Sequence, residues 1–179
     1  MSSYTPILPD ELVVGSPVKP SIVQRLDAND QSVPSPMVFL AGALNTWTAP
    51  ESKWYKITMT GEGGNGSSSD PGGGAASGIR RIYVEKGTLW TATFNPTGIG
   101  ATNTVFSDGV TTLSVQNGFD PLISSGGAGQ TSSGMDITFI GSGNNSIYGG
   151  LPRSGQPAPF GVGGRVAGTG GPALIIIEG

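Results

Sequence analysis

Two residue types are missing from this chain of 179 residues: cysteine and histidine. Without cysteine there is no disulfide, no thiolate metal site and no thiol nucleophile, and the compartment cannot be read from redox. Without histidine the usual general base is missing, and with it the Ser-His-Asp arrangement. Charge is scarce too: charged residues are 12% of the chain and the net charge is -3. No basic stripe interleaves with aromatics, so no nucleic-acid partner is expected. The one adjacent basic pair, Arg80-Arg81, reads as one arginine on each face of a strand, with at least one of them solvated. No apolar run approaches the roughly 20 residues of a membrane helix. The opening MSSYTPILPDELVV has no basic n-region, so neither membrane insertion nor a secretory signal is expected.

What the chain does have is glycine and proline, 31 and 14 residues. Typical disorder combines low hydrophobicity with high net charge. The scarcity of charge here points instead to a β-rich, tightly turned protein. The glycines are unevenly placed: residues 1–60 hold two, Gly15 and Gly42, and residues 61–179 hold the other 29. This divides the chain into an N-terminal segment, 1–35, and a glycine-rich β domain, 36–179.

The N-terminal segment has prolines at 6, 9, 17, 20 and 34, with a further one at 36, and is expected to be largely extended. A short helix fits after Ser16-Pro17 or from Pro20, ending near Asn29, with Ile22, Val23 and Leu26 on one face. A helix that short must pack on something. Tyr4, Ile7, Leu8, Leu12, Ile22 and Leu26 are therefore the candidate docking residues.

The body reads as strands. Met37 to Ala41 is a continuous apolar run, expected as a buried strand, and Thr46-Trp47-Thr48 precedes a turn at Pro50. From Trp54 to Thr60 the pattern alternates, with Tyr55, Ile57 and Met59 on one face and Lys56, Thr58 and Thr60 on the other. Ile79–Glu85 and Thr88–Phe94 suggest a hairpin around Lys86-Gly87, with Trp90, Ala92 and Phe94 sharing a face. Ser107-Asp108-Gly109 is a tight-turn signal between Thr104–Phe106 and Val110–Val115. Met135–Ile140 and Ala173–Ile177 follow. The last strand is flat and apolar, so it is expected to be central in a sheet or sealed by another subunit, and oligomerisation is favoured because few large side chains are present to cover it.

Glycine tracts at 61–78 and 141–171 interrupt this pattern. Gly61, Gly63 and Gly66 match a phosphate-binding spacing, but Ser67-Ser68-Ser69-Asp70-Pro71 is no helix start. A strict collagen period is absent. Less regular polyproline II packing, with backbones nearly touching through glycine, competes with surface loops inside one domain. The surface-loop reading is preferred because strand signals resume after each tract.

Carboxylate chemistry remains open in principle through Glu62, Asp70, Glu85, Asp108, Asp120 and Asp136, which are scattered. Asp70-Pro71, Asp108-Gly109 and Asp120-Pro121 read first as turns. No catalytic, cofactor or metal residue is assigned.

One resemblance spans about 1–30 and 45–179. Thr46-Trp47-Thr48-Ala49-Pro50, the alternating strand to Thr60, Gly61-Glu62-Gly63-Gly64, and Gly72 to Gly78 with two strands after it occur in that order. With Gly168-Thr169-Gly170-Gly171-Pro172 leading into an apolar last strand, this resembles the glycine-rich domain of bacteriophage tail fibre and tail tip proteins. The resemblance implies a mainly β fold: a β-sandwich-like body with long glycine-rich loops, a short helical or extended N-terminal segment, and an intertwined homotrimer. It implies a virion protein assembled in the host cytoplasm, docked to other tail or baseplate proteins by residues 1–35. It also implies non-catalytic binding of a bacterial surface glycan. Candidate receptor contacts are Asn144, Asn145, Tyr148, Arg153, Gln156, Phe160 and Arg165, since neutral hydrogen-bonding groups and flat apolar rings suit sugar hydroxyls and faces. A surface-polysaccharide depolymerase and a structural virion spacer are the alternatives.

Overall fold

The computed structural model describes the backbone of 37–40 and residues 45–98, 102–121, 127–141, 145–146, 158–165 and 168–179. The N-terminal segment, with its expected helix and docking residues Tyr4, Ile7, Leu8, Leu12, Ile22 and Leu26, lies outside them.

The described residues are mainly β, with no helix among them. Ten strands occur in order: β1 (Met37–Leu40), β2 (Thr46–Thr48), β3 (Lys53–Thr60), β4 (Ser77–Val84), β5 (Leu89–Phe94), β6 (Asn103–Ser107), β7 (Thr112–Gln116), β8 (Ser132–Ser133), β9 (Ile137–Phe139) and β10 (Leu174–Glu178). They form two antiparallel five-stranded sheets, β1-β10-β3-β4-β9 and β2-β5-β6-β7-β8. Side chains from both sheets meet in one apolar cluster. Tyr55, Ile57, Met59, Val84, Ile175 and Ile177 come from the first sheet, and Trp47, Trp90, Ala92, Phe106, Leu113 and Val115 from the second. Trp47 meets Tyr55 edge-on across the sheets, ring centroids 4.9 Å apart. Such a contact adds about 0.5–1.5 kcal/mol beyond the area it buries.

Period-two alternation places these residues. Tyr55, Ile57 and Met59 are buried, while Trp54 and Lys56 face outward. Trp90 and Ala92 are buried and Leu89, Thr91 and Thr93 exposed. The Asp-Gly hairpin forms between β6 and β7, pairing Ser107 with Thr112. Asp108 Oδ1 accepts from the backbone N–H groups of Val110 and Thr111, at 2.9 and 2.6 Å. The apolar last strand, β10, is central: β1 covers one side and β3 the other. Its sealing therefore requires no second subunit. Met37–Leu40, expected as a buried strand, is an edge strand of that sheet.

Two expectations are corrected. The first is the hairpin around Lys86-Gly87. There is a turn, with Gly87 at φ 85°, but β4 and β5 lie in different sheets. Gly87 N donates to Ala49 O and Ala49 N to Thr88 O, so the backbone after the turn pairs beside β2 rather than β4.

The second is the tract at 61–78. β3 pairs with β4 down to Thr60 opposite Ser77. The same register then continues: Gly61, Gly64 and Ser67 donate to Ala76, Gly73 and Asp70, at 3.0, 2.9 and 2.7 Å. The tract is thus the far end of a β3–β4 hairpin. Its bonds recur every third residue, the period of a polyproline II helix, which makes no hydrogen bonds to itself. Other residues serve other neighbours. Gly63 and Gly66 donate to Gly171 and Gly168, Gly72 and Ala75 to Gly164 and Gly161, and Gly73 and Ala76 to Phe119 and Gln116. Gly63, Gly64, Gly72, Gly73 and Gly74 are buried, not at the surface. A Cβ at Gly72 would overlap the carbonyl of Gly64, and one at Gly63 the carbonyl of Val162. None of these has a positive φ, so space and not turn geometry demands glycine here.

Gly72→Ala is therefore expected to cost about 3 kcal/mol or more, the upper end for overpacking. Gly87→Asn is expected to cost under about 1 kcal/mol, because Asn tolerates left-handed backbone and nothing lies within 4 Å of the added Cβ. Urea denaturation of the two variants checks this. Small and equal losses would contradict the backbone packing.

Candidate functional site

The glycine framework decides where side chains can reach solvent. Along 61–66 the sequence is Gly-Glu-Gly-Gly-Asn-Gly. Two of every three positions are glycine because two neighbouring segments press against the backbone. The backbone N–H groups of the third positions, Glu62 and Asn65, three residues apart, both meet the 117–120 segment. Glu62 N donates to Asn117 Oδ1 at 2.9 Å and Asn65 N to Asp120 Oδ1 at 2.6 Å. Asn65 Nδ2 reaches Thr97 Oγ1 at 3.0 Å, and its Oδ1 accepts from Gly170 N at 3.1 Å.

Asn117 is the polar hub beneath them and is fully buried. Its Oδ1 also accepts from Thr104 Oγ1 at 3.0 Å. Its Nδ2 donates to Asn95 O at 2.8 Å and Thr102 Oγ1 at 3.1 Å. Both lone-pair sites and both N–H groups are thus used, as burial of an amide demands.

Of the expected receptor contacts, Asn144, Tyr148, Arg153 and Gln156 lie outside the described residues. Asn145 and Arg165 are exposed and Phe160 is partly buried. Ser146 Oγ donates to Phe160 O at 2.6 Å, so 145–146 lies beside Phe160. Arg165 sits elsewhere. Its carbonyl lies against Gly66, whereas that of Asn145 lies against Gly74. In the hairpin register Gly74 is opposite Gly63, so the two positions differ by about three residues, or roughly 9 Å of extended chain. The described candidates are spread along the framework rather than gathered in one cluster.

The carboxylates do not converge either. Among the described residues no three Asp or Glu side chains come close enough to hold a metal ion. Asp136 pairs with Arg80 and accepts from Arg81 N at 2.8 Å. The Arg81 N–H chiefly, with the Arg80 guanidinium, holds the Asp136 carboxyl below its ordinary value. Asp70 accepts from Ser69 Oγ at 2.6 Å in the hairpin tip.

An outward-facing group escaped the sequence reading. Trp54 and Tyr83 are directly paired on β3 and β4, 57% and 49% exposed, with ring centroids 5.9 Å apart. The Arg81 guanidinium lies 5.7 Å from the Trp54 ring centre. The signal was present: alternation puts Trp54 on the Lys56 face, away from the core. Of the Arg80-Arg81 pair, Arg81 is the solvated one, as the pattern required of at least one.

No family model matches the chain, and no curated protein matches it.

Glu62 supplies a pH test of this region. Burial raises its carboxyl pKa above the ordinary 4.5, and the charge on Asp120 raises it further. The fold favours the protonated acid. Its stabilising contribution is full below pH 4.5 and is lost as pH rises through the raised pKa. Glu62→Gln should therefore melt above wild type at about pH 7, with the gap closing toward about pH 4. Thermal melts across that range check it; a gap independent of pH would count against the buried-acid account.

Proposed function

We propose that this chain is a bacteriophage tail fibre component that attaches to the host bacterial surface by non-catalytic binding, its ligand a surface polysaccharide. The observation that carries the reading is the glycine framework. Extended segments bonded backbone to backbone, and joined to two β sheets, make a rigid support that spends almost no side chains on its own packing. Side chains at outward positions are then available to a ligand. That fits the resemblance of the glycine tracts and the apolar last strand to tail fibre and tail tip proteins. In this reading the two sheets form a sandwich-like body. Three copies intertwine, and residues 1–35 dock to other tail or baseplate proteins in the virion.

Binding of this kind gains from repetition. Several weak sites on three subunits raise avidity without any new contact. Neutral Asn and Ser groups and aromatic faces suit hydroxyl-rich ligands.

The labelled full-length protein should bind phage-sensitive cells saturably, and light scattering should return three times the 18.1 kDa chain mass. Absence of saturable binding would favour a virion spacer. Sustained release of reducing sugar from isolated host polysaccharide would favour a depolymerase. A monomer mass would remove the trimer.

A further inference from the structure

The outer face of the β3–β4 pair carries a second kind of site, apart from the glycine tracts. Trp47 and Trp90 are buried, so Trp54 is the one tryptophan of the chain that faces solvent. Its neighbours stand on the two eight-residue strands, the longest described. Tyr83 is its cross-strand partner, Arg81 covers part of its ring, and Lys56 follows it on the same face. Cross-strand aromatics standing on a paired ladder keep their geometry without a ligand.

The charges on this face are unequal. Lys56 is neutralised by Glu178 at 2.7 Å. Arg80, on the opposite face, is neutralised by Asp136. The Arg81 guanidinium has no ion-pair partner among the described residues, and the nearby Asp136 engages its backbone N–H instead. Tyr83 Oη likewise has no hydrogen-bond partner among them. The face therefore offers an exposed indole with the Tyr83 ring set edge-on beside it at 69°, a free phenol and, among the described residues, one unneutralised planar cation.

We propose that Trp54, Tyr83 and Arg81 bind an anionic saccharide, a pyranose bearing a carboxylate; this rests on the attachment reading above. The sugar's C–H face stacks on the exposed indole, with the Tyr83 ring edge-on beside it. The carboxylate takes the guanidinium fork, whose paired donors match its two oxygens. The phenol hydroxyl serves a ring hydroxyl. A neutral sugar would leave the cation unmatched, and an apolar partner would bury it.

The test uses the full chain and a uronic-acid tetrasaccharide, with its carboxyl-reduced neutral form as control. Acrylamide quenching reads Trp54, the exposed indole, directly. The acidic form should protect it, and the reduced form should bind about tenfold more weakly. Trp54→Ala and Arg81→Gln should each lose about tenfold or more in calorimetric affinity. Both positions are solvent-facing and Arg81 keeps its backbone bond to Asp136, so Arg81→Gln should melt like wild type and Trp54→Ala, which loses its ring contact with Tyr83, should melt about 2–4 °C lower and remain folded. Lack of protection up to about 10 mM saccharide overturns the proposal. So does equal protection by the neutral form, or protection that grows with protein concentration in the absence of sugar, which would mean that a second copy covers the face. Wild type that binds cells no better than Trp54→Ala overturns this site and leaves attachment standing. Acidic-saccharide binding without cell binding does the reverse.

Discussion

The close approach of backbones across glycine is the constraint on which the rest of the molecule depends. Each glycine ordered in an extended segment costs roughly 0.5–1 kcal/mol more than alanine would. Each net hydrogen bond returns about as much. The segments are therefore near balance on their own and need a support with a real hydrophobic core. The two sheets supply it through Trp90, Phe106, Ile57, Met59, Leu113 and Ile175, all nearly inaccessible to solvent. The β3–β4 pairing carries that support outward. Because Thr60 opposite Ser77 fixes the register, Gly61 meets Ala76 and Gly64 meets Gly73. A slip of one residue would bring side chains into contact with carbonyls along the whole tract.

Much of the sheet architecture was legible. Alternation identified the inward faces of β3 and β5, Asp108-Gly109 identified the β6–β7 turn, and the apolarity of Leu174 to Ile177 required cover on both sides, which β1 and β3 provide where a second subunit was the favoured answer. These signals are local, or follow from burial of a single strand. Pairings over longer separations were not legible. Nothing within Ile79 to Phe94 says that Gly87 hands the chain to the other sheet. That outcome depends on Ala49, distant in sequence, which takes the Gly87 N–H.

The glycine tract was misplaced for a different reason. Amphipathic patterns arise when one face is buried and one is wet. A segment packed on several sides has no wet face, and its neighbours are backbones that admit no Cβ. Its signature is two glycines in every three, as in Gly61 to Gly66, with a side chain at the third position. Glu62 and Asn65 stand at those positions, and the backbone N–H of each donates to the Asn117–Asp120 segment. Read for a two-residue or strict three-residue period, that pattern looks like a loop.

The same constraint shapes what a binding surface can be here. Where the backbone does the packing, side chains are free only at outward positions and on the outer faces of the sheets. Asn145 and Arg165 follow the first route, with their carbonyls against Gly74 and Gly66 and their residues exposed. Trp54, Tyr83 and Arg81 follow the second, set by strand register instead of glycine spacing. The two routes differ in preorganisation. A strand-borne aromatic pair is fixed by the ladder beneath it, so a ligand meets it with little further loss of conformational freedom. Asn65 is held by Thr97 and Gly170, whereas the Asn145 and Arg165 side chains have no hydrogen-bond or ion-pair partner among the described residues and are left to be ordered by whatever they bind. The sheet face is accordingly the better place for a selective contact, and the framework for weaker contacts that gain by repetition.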